Sequence, residues 1–85
     1  MARRDDLLQR ARSSPDGLAF REFETLMTRA GWKMRRQKSS HRLWYSPKGF
    51  RLPIQPNGNS AKGYQVRQFI TQFDKENSGG KASDG

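Results

Sequence analysis

Lys33-Met34-Arg35-Arg36-Gln37-Lys38-Ser39-Ser40-His41-Arg42-Leu43-Trp44-Tyr45 decides the fold of this chain. From Trp32 to Lys38 the residues alternate, with Trp32 and Met34 on one side and Lys33 and Arg35 on the other, as the two-residue period of a strand requires. Ser39-Ser40 predicts a turn. His41 to Ser46 is rich in β-formers and predicts a second strand. Trp44 and Tyr45 then point to opposite faces, so at least one of them packs in the core. Beyond lies Ser46-Pro47-Lys48-Gly49, with Pro and Gly at the second and fourth positions of a tight turn. Phe50, Leu52 and Ile54 alternate with Arg51 and Pro53, giving a third strand. Pro53 has no amide to donate, so that strand lies at a sheet edge or ends nearby.

Helices flank this meander. Phe23, Leu26, Met27 and Ala30 recur at i, i+3, i+4 and i+7 and predict a helix over 21–30, with Phe20 extending the same side and Gly31 as its left-handed terminator. Val66, Phe69, Ile70 and Phe73 repeat the spacing and predict a last helix from about Gly63 to Phe73. Leu7, Leu8 and Ala11 form a shorter stripe, and Asp5 and Asp6 suit a first turn, so a helix within 1–14 precedes the turn-rich Ser13-Ser14-Pro15-Asp16-Gly17. The expected architecture is α+β. It is a two-layer sandwich of helix, three-stranded antiparallel sheet and helix with an extra N-terminal helix, as in double-stranded-RNA-binding domains. The expected organisation is a helical extension over 1–17, the domain over 18–74 and a disordered tail over 75–85.

Eighty-five residues make one domain with a small core. The absence of cysteine removes disulfide and thiolate chemistry and suits a cytoplasmic protein. No apolar run approaches the roughly 18 residues of a membrane span. The net charge is +9, and its placement says more than its size. No Asp or Glu falls between Glu24 and Asp74, while ten Lys and Arg do. The two ends nearly cancel, so the positive charge belongs to the middle of the domain and predicts a polyanionic partner, nucleic acid above all.

Several chemistries are excluded. One histidine and no cysteine leave no His/Cys zinc cage, and the acid-free middle argues against the carboxylate cluster of a two-metal nuclease. No phosphate-cradling glycine loop is present, and no metal or cofactor is expected. What remains is His41 among cations. RNA can be cleaved without metal when the ribose 2′-OH attacks the adjacent phosphorus and leaves a 2′,3′-cyclic phosphate. Histidine exchanges protons near neutrality and can serve as base or acid. Arg36, Lys38 and Arg42 are candidates to hold the phosphate and its developing charge. The second proton transfer falls to Lys38, a serine, a tyrosine or water.

Ala30-Gly31-Trp32, then Arg36-Gln37-Lys38-Ser39-Ser40-His41-Arg42-Leu43-Trp44-Tyr45, resembles the core of HicA-type toxins, small mRNA interferases of bacterial toxin–antitoxin systems. Leu52-Pro53-Ile54-Gln55-Pro56 and Ala61-Lys62-Gly63-Tyr64-Gln65-Val66-Arg67-Gln68-Phe69 are similar to one branch of that family. The resemblance implies metal-independent cleavage of mRNA, a HicB-like antitoxin partner and catalysis by His41. The expected RNA contacts are Arg35, Arg36, Lys38, Ser40, Arg42, Lys62 and Arg67. Two positions depart from the pattern: Ser39 stands where the family commonly has Gly, and Gly63 where the similar branch often has Pro. The alternative expectation is an RNA-binding module of the same fold without catalysis.

Overall fold

The computed structural model describes the backbone of residues 3–38 and 41–84, with side chains from 6 to 38 and from 41 to 77. The predicted Ser39-Ser40 turn, and with it the expected RNA contact Ser40, lies outside the described residues. The elements are α1 (Arg3–Ser13), a single 3₁₀ turn (Pro15–Gly17), α2 (Phe20–Arg29), β1 (Lys33–Lys38), β2 (His41–Tyr45), β3 (Arg51–Ile54) and α3 (Gly63–Asp84). The strands form one antiparallel sheet in the order β1-β2-β3. The α+β expectation holds, with helix, meander and helix in sequence behind an N-terminal helix.

The core forms between the helices and one face of the sheet. Phe23, Leu26 and Met27 of α2, Trp44 of β2, Leu52 and Ile54 of β3, and Val66 and Phe69 of α3 are all buried there, with Trp32 between α2 and β1. Phe69 is the centre. Its ring meets Trp32 edge-on at 5.0 Å and Phe23 at 5.8 Å, and stacks on Phe73 at 5.7 Å. Such aromatic pairs add about 0.5–1.5 kcal/mol each beyond the area they bury.

Local chemistry sets the element ends. Gly31 has φ 90, its N–H donates to the Thr28 carbonyl, and the Trp32 N–H reaches back to Met27. That pairing closes α2 and turns Trp32 inward, ahead of the strand. Gly49 has φ 93 and closes the β2–β3 loop, its N–H donating to Ser46 O at 2.9 Å. The buried Ser46 hydroxyl accepts from the Lys48 and Phe50 amides and donates to the Glu76 carboxylate, tying that loop to α3.

Three expectations need revision. Trp32 is buried but lies outside β1, and Met34 is 43% exposed at the rim of the helix side, because β1 is an edge strand that no helix covers. Arg35 does not alternate simply. The pairs Met34↔Trp44 and Arg36↔Leu43 leave it as the extra residue of a β-bulge. Finally, α3 runs to Asp84, past the Phe73 end expected from the apolar spacing. Once the 63–73 face is packed, each further residue adds a helical bond to an existing helix. Glu76, held by Ser46 and Gln72, anchors the extension.

Helix α1 docks. Ala11 is wholly buried and Leu7 and Leu8 pack against the core. Two bidentate bridges hold it, from Arg10 to Glu22 of α2 at 2.8 and 3.0 Å and from Arg12 to Asp74 of α3 at 2.9 and 2.7 Å.

Candidate nucleic-acid interface

The helices cover one face of the sheet and leave the other open, and register decides which side chains fall where. On the covered side the partners are Gln37↔Arg42, Met34↔Trp44, Arg42↔Ile54 and Trp44↔Leu52. On the open side they are Lys38↔His41, Arg36↔Leu43, Lys33↔Tyr45, Leu43↔Pro53 and Tyr45↔Arg51. The bulge at Arg35 lets two successive arginines serve one face. Arg35 and Arg36 both border the hollow that Leu43 and Tyr45 floor. The open face therefore gathers Lys33, Arg35, Arg36, Lys38, His41 and Arg51, all exposed.

Four carboxylates are bridged away from this face. Among the described residues, Glu22 is bridged to Arg10, Asp74 to Arg12, Glu24 to Arg42 and Asp16 to Arg67, all on the helix layer or beneath the sheet. Among the described residues none forms an ion pair with Lys33, Arg35, Arg36, Lys38 or Arg51. The resulting potential is positive and one-sided, which draws in a phosphate chain and orients it. The fork from Arg10 and the Ala19 N–H hold the Glu22 carboxyl below the usual carboxylate range, and the Arg12 fork does the same for Asp74.

His41 opens β2. It precedes the Arg42↔Ile54 pair and lines a groove that wraps the β3 edge onto the first turns of α3. Arg51, Pro53, Gln55, Tyr64, Gln65 and Gln68 share this groove. The edge of β3 is closed to strand addition there, since Pro53 lacks an N–H and that of Gln55 is taken by Gln65 Oε1 at 3.1 Å.

The expected RNA contacts separate. Arg35, Arg36 and Lys38 lie on the open face with His41. Arg42 does not: it points under the sheet, with its guanidinium 2.6 Å from Glu24 and over the Phe20 ring at 5.2 Å. Being next to His41 in sequence put it on the opposite face, as strand alternation requires. Arg67 reaches Asp16 on the 3₁₀ turn at 3.6 Å, outside the His41 groove. Lys62 is half-buried ahead of α3, and its carbonyl accepts the Gln65 and Val66 amides. Two open-face residues went unassigned. Lys33 and Arg51 were legible as alternation partners of buried positions. Tyr64 and Gln68 were not, because only the packing of α3 beside β3 brings them to His41. Among the described residues no three His, Asp or Glu side chains come together as a metal site would need, and no helix is long and apolar enough to cross a membrane.

Fold and face together define a small basic α+β protein whose sheet presents a cationic surface with one histidine at its margin. Over residues 20–74 the chain matches the family model described as HicA toxin of bacterial toxin–antitoxin systems. That span is well over half of the chain, from the first residue of α2 into α3, and includes every open-face residue. The protein belongs to the HicA toxin family, and membership implies a cognate antitoxin as partner. Searches of curated proteins and of solved structures returned no match.

Proposed function

We propose that this protein is the toxin of a toxin–antitoxin pair and that it cleaves mRNA by metal-independent transesterification at His41. The observation that carries this reading is the collection of His41 with Arg35, Arg36, Lys38 and Arg51 on one sheet face, while Glu22, Asp74, Glu24 and Asp16 are each bridged to an arginine elsewhere. The cations hold the phosphate chain and offset the negative charge that grows on the phosphorane. His41 removes the proton of the attacking 2′-OH. The same face is the docking surface for the antitoxin, of HicB type, whose acidic groups meet the cations and exclude RNA.

The test is cleavage of a transcript in EDTA, alongside the same RNA with a 2′-deoxy sugar at the cut site. The expected outcome is undiminished cleavage in EDTA, a 2′,3′-cyclic phosphate end and no cut at the deoxy position. Loss of cleavage in EDTA, or a cut at the deoxy site, would overturn the mechanism. Tight, salt-sensitive binding with RNA left intact would identify a binding module instead.

A further inference from the structure

Transesterification needs two proton transfers, one from the 2′-OH and one to the departing 5′-oxygen, and this chain has a single histidine. Among the side chains lining the His41 groove, Phe50, Leu52, Pro53 and Ile54 have no exchangeable proton, and Gln55, Gln65 and Gln68 carry amides that do not give theirs up. A guanidinium such as that of Arg51 does not serve as a proton donor in proteins. Among the described residues lining the groove one group remains, the Tyr64 hydroxyl. Tyr64 is the second residue of α3 and is 55% exposed, so the ring is not there to fill the core.

The hydroxyl is also held. Gln65 beside it is buried, with 6% of its surface exposed. Its Oε1 accepts the Gln55 amide at 3.1 Å, which turns its Nε2 outward, where it donates to Tyr64 Oη at 3.4 Å. His41, Gln55, Gln65 and Tyr64 all line the one groove. Within it the fixed amide of Gln65 holds a phenol that accepts one hydrogen bond and keeps its own proton to give.

We infer that Tyr64 is the general acid of the reaction, protonating the 5′-oxygen as His41 deprotonates the 2′-OH. This rests on the ribonuclease reading above. As the 2′-oxygen pair forms the new bond to phosphorus, its proton passes to the imidazole. The bond from phosphorus to O5′ breaks, its electron pair stays on O5′, and the Tyr64 proton completes the product alcohol. The phenolate left behind accepts the Gln65 amide, and a proton returned from the imidazolium through water resets both groups. Gln65 is the positioning residue. Lys38 faces His41 across the hairpin but does not line the groove.

The experiment compares wild type, Tyr64→Phe and His41→Ala on an oligoribonucleotide with a normal 5′-oxygen and on its 5′-thio counterpart, whose sulfur departs as a thiolate and needs no acid. Tyr64→Phe keeps the ring, and thermal melts confirm the fold. The expected result is a fall in kcat of about 10²-fold or more on the oxygen substrate with KM within about 2-fold, and recovery to within a few-fold of wild type on the thio substrate. His41→Ala is expected to be inactive on both. Tyr64→Phe at the wild-type rate, or equally slow on both substrates, would overturn the role of Tyr64 while an inactive His41→Ala kept the ribonuclease reading. A wild type that cut neither substrate, or a His41→Ala variant that cut both, would overturn the reading and this inference together.

Discussion

Arg42 and Arg36 carry the same charge within one hairpin, and the structure gives them different work. Arg42 is half-buried under the sheet, against Glu24 and the face of Phe20, whereas Arg36 stands on the open side. Arg42→Ala strands the Glu24 carboxylate and removes a cation–π contact, so it is expected to cost about 1–2 kcal/mol of stability in chemical denaturation. RNA affinity should stay near that of wild type. Arg36→Ala should leave stability within about 0.5 kcal/mol and lower affinity, with a shallower salt dependence. Reversed outcomes would mean that the faces are wrongly assigned. Gly63 is a second telling position. A Cβ there would meet the carboxylate of Asp16, which lies against the first turn of α3 and also reaches Arg67. The small size of Gly63 admits an acid that suits the positive end of the helix.

The elements show where sequence was informative and where it was not. Helix α2 and the meander were legible because their signals are local: apolar spacing, Gly31 at the helix end, and Pro47 and Gly49 in the turn. The bulge at Arg35 was not, since it exists only relative to β2. The extension of α3 was not legible either, because Ser78-Gly79-Gly80 has poor helix propensity and the support comes from Ser46, thirty residues away from Glu76. For α1, sequence could not say whether it docks; the answer lies in buried Ala11 and in two bridges to residues on other helices. These bridges make a prediction. Glu22 and Asp74 have carboxyl groups lowered below their ordinary range in the folded protein. They therefore contribute stability that is complete above the ordinary carboxylate range near pH 4 and is lost as pH falls through their lowered values (about 4). Both pairs are largely exposed, so the effect is modest and screened by salt. Arg12→Ala should flatten the acid limb of a stability–pH curve measured by thermal melts and leave the curve above pH 6 parallel to that of wild type (about 6). An unchanged acid limb would show that the Asp74 bridge does not hold α1.

At the scale of the molecule, charge is sorted by layer. Four of the described acids, Glu22, Asp74, Glu24 and Asp16, pair with Arg10, Arg12, Arg42 and Arg67 around the helices, and the cations of β1 and β3 are left to one open face. The net charge of +9 therefore understates the field that a nucleic acid meets. If single-stranded RNA lies across Arg35, Arg36, Lys38 and Arg51, the logarithm of affinity should fall with the logarithm of salt with a slope of roughly −2 to −3, and each of these residues changed to Ala should reduce that slope by about 0.7. Arg67→Ala should not change it. Of the functional site, sequence revealed the strand face that carries the cations and the histidine at its end. The groove around His41 is tertiary, assembled from β3 and α3, and no spacing in the chain announces it.

The central claim is that His41 on this face breaks RNA. Single-turnover cleavage of one transcript by wild type and His41→Ala in EDTA, with RNA affinity measured on the same samples, tests it most directly. A loss of cleavage by about 10²-fold or more at nearly unchanged affinity is the predicted result. Cleavage by His41→Ala at the wild-type rate would contradict it.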